Sequence, residues 1–239
     1  MQILAMDTSS RTGSVALLRG SELFSVIAAA ESEPFSSWLF RDVDRLLRES
    51  GVPPPSVDLY AVATGPGSFT GVRVGLAAAK AWSEVYRKPV AGVSALEAMA
   101  AQSAEAEPLV AGIADGHRGQ LFAGLYERAA GGLLRRGDDV VLSPAECLAY
   151  LAEQAAGAPY LIRTSLPDVV RAALHASSIS GVRVEPADPA LAPAIGRVAF
   201  ARAARGELSD ALALDAHYVR RPDAEVLLDA KDSTKGNAR

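Results

Sequence analysis

Residues 65–71, Gly-Pro-Gly-Ser-Phe-Thr-Gly, join a predicted strand to a predicted helix. The apolar run VDLYAVA at 57–63 predicts a buried strand, and residues 72–86 have the periodicity of a helix. Glycines allow positive φ and a close backbone approach, and Ser68 or Thr70 can cap the helix. The stretch therefore predicts a strand–turn–helix unit, the building block of an α/β fold.

Similar signals for strands, turns and helices occur on both sides of this unit. Before it we predict strands at 2–7, 13–18 and 22–29 and a helix from Pro34 to Gly51. After it we predict a strand at 89–93 and a helix opened by a capping box of Ser94 and Glu97. The first hundred residues thus have the predicted order β-β-β-α-β-α-β-α.

The same order recurs from residue 108. The predicted strands are at 109–114, 120–126, 138–142, 159–163 and 181–185, and the predicted helices at 144–155, 168–176 and 190–205. The helix at 144–155 begins with a second capping box, formed by Ser143 and Glu146. A repeated unit that is too small for a large core predicts two similar lobes with a cleft between them. We expect lobes at 1–103 and 104–221 and a disordered tail at 222–239.

Composition excludes several classes of protein. The 239 residues have a formal net charge of −4, which argues against a general polyanion-binding surface. A single cysteine, Cys147, excludes an internal disulfide framework and a thiolate zinc site. The N-terminus lacks the pattern of a signal peptide, and no apolar run is long enough for a membrane span. We therefore expect a soluble cytoplasmic protein that does not contact a membrane.

Two aspartates occupy equivalent positions in the repeat. Asp7 and Asp115 each end the first strand of a lobe, so across a cleft the pair could hold a Mg²⁺–phosphate group. The loop at 65–71 could add an anion site through its backbone, and the candidate residues there are Gly65, Gly67, Ser68 and Thr70. The alternative is structural: each aspartate caps its own turn, and the glycines only return the helix to the sheet.

Other catalytic patterns find no support in the sequence. His117, His175 and His217 have no metal-ligand partner three or four residues away, and there is no G-x-S-x-G motif. Cys147 lies in a predicted helix, which favours a small core residue over a nucleophile. The sequence therefore predicts no metal site and no catalytic residue.

The two predicted helices of the first lobe carry more apolar surface than one sheet face should cover. Apolar residues of the 34–50 helix spread over roughly 200°, whereas one-sided packing needs about 100° or somewhat more. We expect a partner surface formed by Phe35, Trp38, Leu39, Asp42, Val43 and Leu46 on this helix and by Arg73, Gly75, Leu76, Ala78, Ala79, Trp82 and Tyr86 on the next. The alternative is that the second lobe covers both helices. Without a partner, such a surface predicts a homodimer.

Four segments resemble the bacterial TsaB (YeaZ) family: MDTS at 6–9, GPGSFTGVRVGLAAAK at 65–80, SALEAMA at 94–100 and HYVRRP at 217–222. The resemblance implies an actin-like/Hsp70-like (ASKHA) fold of two ribonuclease-H-like lobes. It also implies a non-catalytic role in forming N6-threonylcarbamoyladenosine in tRNAs that read codons beginning with A. The implied partners are the catalytic paralogue TsaD, bound through the helices at 34–50 and 72–86, and the ATPase TsaE. Contact with tRNA is then indirect, through the complex.

Some positions depart from the family pattern. Phe35 stands where relatives often have histidine, and the D-A-R of the second lobe is replaced by Asp115-Gly116-His117 with Arg118 one place late. No adenosine-binding glycine pair occurs around 157–167. We therefore expect no cofactor on this chain alone, which leaves ATP or Mg²⁺ as ligands at the junction of the complex. The rival hypothesis is a small Mg²⁺-dependent ATPase or phosphotransferase that uses Asp7, Asp115 and the loop at 65–71.

Overall fold

The computed structural model describes residues 1–29, 33–104, 106–208 and 211–219. The predicted tail at 222–239 lies outside these ranges. Within them the chain forms two five-stranded sheets and six α-helices, an α/β fold.

The first sheet is built from β1 (Gln2–Asp7), β2 (Ser14–Arg19), β3 (Glu22–Ala28), β4 (Leu59–Gly65) and β5 (Val90–Ser94). Its spatial order is β3-β2-β1-β4-β5. β1 pairs antiparallel with β2 and parallel with β4. The buried residues of β1 and β4 make these two strands the centre of the lobe.

The second sheet repeats this arrangement with β6 (Leu109–Asp115), β7 (Leu121–Ala129), β8 (Gly132–Leu142), β9 (Tyr160–Thr164) and β10 (Val182–Pro186). Its spatial order is β8-β7-β6-β9-β10. β6 pairs antiparallel with β7 and parallel with β9, as β1 does with β2 and β4. The predicted repeat of two lobes is therefore confirmed.

The helices are α1 (Phe35–Glu49), α2 (Phe69–Tyr86), α3 (Ala95–Ala100), α4 (Pro144–Ala155), α5 (Pro167–His175) and α6 (Ala192–Ala204). α1 and α2 share a core with one face of the first sheet, and α6 covers the opposite face. α4 and α5 pack on the second sheet. None of the helices in the described ranges is long and apolar enough to cross a membrane.

Two helices pack on the sheet that is formed by the other half of the chain. α6 lies late in the sequence but packs on β1 and β2, whereas α3 from the first half packs on β6 and β7. All six residues of α3 are buried between the two sheets. The predicted boundary near residue 103 remains a prediction. The sequence does not predict which sheet α3 and α6 cover, because amphipathic periodicity identifies an apolar face but not the sheet that it packs on.

The sequence signals for helix N-termini agree with the structure at some helices and disagree at others. α2 begins at Phe69, three residues before the predicted start, because Ser68 is the N-cap and accepts a 3.2 Å hydrogen bond from the Gly71 amide. The Ser143–Glu146 capping box is confirmed. The predicted box at Ser94 is wrong: the Ser94 side chain makes no cap hydrogen bond, and Glu97 forms an ion pair with Arg202 of α6 instead.

Candidate functional site

The loop at 65–68 packs against the end of β1. The backbone amide of Ser68 donates a 2.7 Å hydrogen bond to the carbonyl oxygen of Ser9, and the Thr8 hydroxyl donates a 2.7 Å bond to the carbonyl oxygen of Gly71. The first turn of α2 is thus fixed directly to the residues that follow Asp7.

This contact explains the glycines. A Cβ atom at Gly67 would lie 2.1 Å from the Ser9 carbonyl oxygen, and one at Gly71 would lie 1.9 Å from the Thr8 carbonyl oxygen. A Cβ atom at Gly75 would lie 2.3 Å from the Thr8 hydroxyl. Because these distances exclude any side chain, close packing of α2 on the strand end accounts for all three glycines. The phosphate site at Gly65, Gly67, Ser68 and Thr70 remains a prediction.

Asp7 and Asp115 make the same local turn. One carboxylate oxygen of Asp7 accepts hydrogen bonds from the Ser9 amide at 2.8 Å and the Ser9 hydroxyl at 2.6 Å. One oxygen of Asp115 likewise accepts a 2.7 Å bond from the amide of His117, two residues further on. Each aspartate therefore caps its own turn, which is the structural alternative. Joint binding of Mg²⁺–phosphate by the pair remains a prediction.

The electrostatic settings of the two carboxyl groups differ. Asp7 is fully buried, and this burial raises its pKa even though hydrogen bonds from Ser9 and Ser10 lower it. Asp115 is exposed, with the His117 ring 3.4 Å away. Among the residues that the structure describes, no three His, Cys, Asp or Glu side chains are grouped to hold a metal ion.

Most of the predicted partner surface on α1 lies inside the molecule. Its buried members are Trp38, Leu39, Asp42, Val43 and Leu46. Apart from Asp42 they join the core between α1 and the first sheet, and Phe35 packs partly against the same core. Asp42 is only 4% exposed and accepts a 2.9 Å bond from the Nε of Arg41. The expectation that the five buried side chains form a surface is wrong, because α1 packs against both the first sheet and α2.

On α2 the prediction is wrong for four of its seven residues, and for the other three it remains a prediction. Gly75, Leu76, Ala78 and Ala79 are buried, whereas Arg73 is exposed and Trp82 and Tyr86 are half-buried. The exposed row of α2 consists instead of Arg73, Ala77, Ala81 and Val85, each four residues from the next. We call this row the α2 stripe.

An apolar groove lies between the ends of α1 and α2. The Trp82 ring stacks on Tyr60 at 6.0 Å and meets the edge of Phe40 at 5.6 Å. The groove has a volume of about 450 Å³ and is also lined by Val43, Leu47, Pro53 and Tyr86. Phe40 is 51% and Val85 is 69% exposed, so these helices keep an apolar surface smaller than predicted.

Sequence reasoning missed the structural role of residues 211–219, which we call the C-terminal strap. Leu214 is buried in the core of the first lobe, at the place where Gly92 leaves room for it. The amide of His217 donates a 2.7 Å bond to the Thr64 carbonyl, and its Nε2 lies 3.0 Å from the buried carboxylate of Asp139. In the sequence this segment carries only the family resemblance, and no local pattern predicts partners so distant in sequence.

The strap therefore links the two lobes. Asp139 belongs to β8 of the second sheet, and its other oxygen lies 3.3 Å from the hydroxyl of Tyr126. Tyr126 in turn lies 3.3 Å from the Ser94 hydroxyl, at the end of β5. Burial raises the pKa of Tyr126 well above its ordinary value, so this hydroxyl stays protonated at neutral pH.

Comparison with known proteins agrees with this architecture. The profile of the family described as TsaD, tRNA N6-adenosine threonylcarbamoyltransferase, matches residues 27–219. A Bacillus subtilis protein named tRNA threonylcarbamoyladenosine biosynthesis protein TsaB is 34% identical over 154 residues. That match covers 64% of this chain and 67% of the relative.

Solved structures give the same result for the fold. A structure titled YeaZ from Pseudomonas aeruginosa aligns with 91% of this chain and 99% of its own, at a TM-score of 0.75 and 25% identity. A ROK hexokinase from Thermus thermophilus aligns with 84% of this chain and 98% of its own, at a TM-score of 0.52 and 12% identity. The second likeness is one of fold alone. The fold is the actin-like/Hsp70-like (ASKHA) type with two ribonuclease-H-like lobes, and the chain belongs to the TsaB/YeaZ family.

Proposed function

We propose that this chain is a cytoplasmic, non-catalytic subunit in the formation of N6-threonylcarbamoyladenosine in tRNAs that read codons beginning with A. In this role it binds and stabilises a TsaD-type catalytic paralogue, a TsaE-type ATPase joins the pair, and tRNA is contacted through the complex. Support comes from the relatives' names and from one observation. The exposed apolar surface of α1 and α2 lies on the pair of helices that the family resemblance implicates.

The α2 stripe is suited to contact with another helix. Ala77 and Ala81 are exposed and one turn apart, so a second helix can approach its backbone closely. Phe40, Trp82 and Val85 lie near these alanines and supply apolar area for contact with the second helix. Burial at about 25 cal/mol per Å² over a standard-sized interface is enough for stable association. The proposed contact is therefore made by the stripe and the groove rather than by the buried residues of the helices.

A co-purification experiment tests this contact. Ala81→Glu places a charge in the centre of the stripe, so we expect loss of the catalytic subunit from pull-downs while the variant itself unfolds like the wild type. Ala172→Glu is the matched control, because Ala172 is also an exposed helical alanine but lies on α5 of the second lobe. If both variants retain the catalytic subunit at the wild-type level, docking on α2 is rejected.

A complementation experiment tests the role itself. In cells that lack their own copy, the wild-type chain should restore N6-threonylcarbamoyladenosine in tRNA, measured by mass spectrometry of nucleosides. Ala81→Glu should restore much less, and Ala172→Glu should restore the wild-type level. Failure of the wild-type chain to restore the nucleoside would reject the proposed role.

Nucleotide binding separates this proposal from the phosphotransferase hypothesis. The residues that such a site would use make internal contacts: Gly67 and Gly71 abut the backbone oxygens of Ser9 and Thr8, and Asp7 accepts three hydrogen bonds from its own turn. These internal contacts favour a packing role for the loop over an anion-binding role. We expect no heat of Mg-ATP binding to the isolated chain in calorimetry. Binding that is lost in Asp7→Asn would favour the phosphotransferase.

A further inference from the structure

The apolar groove between the ends of α1 and α2 is suited to one kind of occupant. Its volume is about 450 Å³, and Phe40, which lines it, is 51% exposed. The two charged side chains that line it, Asp44 and Arg48, form an ion pair with each other. Because these charges are already paired, the groove favours an apolar segment over a charged one. Burial of its apolar surface by such a segment contributes about 25 cal/mol per Å².

The described part of the chain ends close to the same pair of helices. The last described residue is Val219. The hydroxyl of the preceding residue, Tyr218, accepts a 2.7 Å hydrogen bond from Arg73 in the first turns of α2. Trp82 follows Arg73 by nine residues, which corresponds to about 14 Å along a helix. The chain therefore continues from one end of α2, and the groove lies at the other end.

Residues 220–239, which lie outside the described ranges, contain one run of large apolar residues. It consists of Val226, Leu227 and Leu228, between Glu225 and Asp229. Val226 is eight residues beyond Tyr218, and an extended chain of that length spans up to about 26 Å. This reach is nearly twice the distance along α2 from Arg73 to Trp82, so the run can enter the groove by a direct or an indirect path.

The other residues outside the described ranges do not have this chemistry. They are residues 30–32, 105 and 209–210, and they comprise only alanine, glutamate, serine and aspartate. The surface that leads to the groove also permits a close approach. Ala77 and Ala81 of the α2 stripe are exposed and small, so a passing chain can lie near the helix backbone.

We propose that residues 224–230 of the same chain occupy this groove, with Leu227 against the ring of Trp82 and the flanking acidic residues in solvent. The linker from Tyr218 is short, and a short flexible linker gives an effective concentration in the millimolar range. A segment that binds with a dissociation constant of about 0.1 mM is then bound about nine-tenths of the time. Weak apolar binding is therefore enough to cover the groove. The tail predicted to be disordered at 222–239 thus contains a short docked segment.

Docking of this segment has a consequence for the proposed contact, and this consequence rests on the proposed function. Because the groove belongs to the contact with the catalytic subunit, the segment and the subunit compete for Phe40 and Trp82. In the free chain the segment shields these rings from solvent, and the catalytic subunit displaces it on binding. The docking itself concerns the isolated chain and does not depend on the proposed function.

Fluorescence quenching of the full chain tests the docking. The chain has two tryptophans, and Trp38 is fully buried, so added acrylamide quenches mainly Trp82. Leu227→Asp should raise the quenching constant at least about twofold, because it opens a groove that is otherwise covered about nine-tenths of the time. Ala238→Asp is the matched control: it adds the same charge beyond the docked segment and should be quenched like the wild type. Trp82→Phe should abolish the difference, which excludes unfolding around Trp38 as its source.

Chain concentration distinguishes this segment from a second copy of the chain. Quenching of the wild type should be the same from about 1 μM to about 100 μM, because docking within one chain does not depend on concentration. Protection of Trp82 that appears only as the concentration rises would mean that a second copy covers the groove, as in the homodimer predicted from the sequence. That result would overturn the proposal, and so would equal quenching of the wild type and Leu227→Asp.

Pull-downs separate the docking from its consequence. If the segment competes, Leu227→Asp should recover at least as much catalytic subunit as the wild type. Lower recovery by Leu227→Asp than by Ala238→Asp would mean that the segment contributes to the contact, which overturns the competition. Recovery of no catalytic subunit by the wild type rejects the proposed function, whereas the quenching result still decides the docking.

Discussion

The Nε of Arg73 donates a 2.7 Å hydrogen bond to the hydroxyl of Tyr218, a residue 145 positions further along the chain. The same guanidinium lies 3.7 Å over the ring of Phe69, and the rings of Phe69 and Tyr218 are 5.3 Å apart. One end of the C-terminal strap is thus fixed to the first turns of α2. Because the strap also contacts Asp139 of β8, the helix proposed to meet the catalytic subunit is physically connected to the second lobe.

Substitution of Tyr218 measures the strength of this connection. Tyr218→Phe removes the hydrogen bond but keeps the ring contact, and should lower the free energy of unfolding by about 0.5–1.5 kcal/mol. Tyr218→Ala also removes the aromatic contact and should cost about 0.5–1.5 kcal/mol more. Urea unfolding of the three proteins gives both values. If Tyr218→Phe and Tyr218→Ala unfold at the wild-type midpoint, the contact of Tyr218 with α2 does not stabilise the fold.

The contact between α2 and the end of β1 predicts a severe effect of a single methyl group. Gly71→Ala would place Cβ 1.9 Å from the Thr8 carbonyl oxygen, so backbone must move on one side or the other. We expect a loss of about 3 kcal/mol or more in urea unfolding. Thr70→Ala, at the exposed neighbouring residue, should change stability by about 0.5 kcal/mol or less. Equal midpoints for the two variants would contradict the tight packing.

Secondary structure was largely predictable because its signals are local. The predicted strand at 2–7 and the helix at 144–155 have the bounds that the structure gives to β1 and α4. The placement of α6 on the first sheet was not predictable, since its apolar face fits either sheet. At Ser94 a local pattern was misleading, because the pairing of Glu97 with Arg202 replaces the capping box.

The candidate site was less predictable than the fold. Helical periodicity identified Trp38 and Ala79 as members of an apolar face, but it cannot distinguish a face covered by another subunit from one covered by the chain's own sheet. The glycines at 67 and 71 were correctly seen as sites of close approach. The neighbour is the backbone of Thr8 and Ser9, which only the tertiary structure identifies.

The buried carboxyl group of Asp7 predicts a pH-dependent difference in stability. Burial raises its pKa above the ordinary 3.8, so the folded chain keeps this proton to higher pH than the unfolded chain does. As pH rises from 3.8 through the raised pKa, the wild type should lose stability relative to Asp7→Asn, and above that pKa the difference should become constant.

Urea unfolding of both proteins from about pH 3 to about pH 8 checks this prediction. The substitution of one carboxylate oxygen by an amide adds an offset that does not depend on pH, so only the change in the difference is informative. A difference that stays constant over the range would mean that the pKa of Asp7 is not raised. A difference that changes in favour of the wild type as pH rises would mean that the pKa is lowered.

The single thiol should be unreactive in the folded chain. Cys147 is fully buried and donates to the carbonyl oxygen of Leu121 at 3.4 Å, and burial raises its pKa from 9.0 to about 11. A rise of that size leaves about a hundredth of the usual thiolate at neutral pH. Ellman's reagent should therefore titrate one thiol in urea and react at least about a hundredfold more slowly in buffer. Ala172→Cys, an exposed site on α5, should react quickly in buffer; equally fast reaction at Cys147 would show that its helix is not packed as described.

Neighbouring alanines on α2 provide the sharpest test of which face of the helix is covered. Ala79 is fully buried and Ala81 is exposed. Ala79→Asp puts an unpaired carboxylate into the core and should cost about 3 kcal/mol or more, whereas Ala81→Asp should cost about 1 kcal/mol or less. Urea midpoints of the two variants measure the difference directly. If Ala79→Asp unfolds at the wild-type midpoint, residue 79 is on the surface and the partner face predicted from periodicity was right. If Ala79→Asp unfolds at a lower urea concentration, any failure of this variant to bind the catalytic subunit reflects unfolding. In that case only variants of the α2 stripe report on docking.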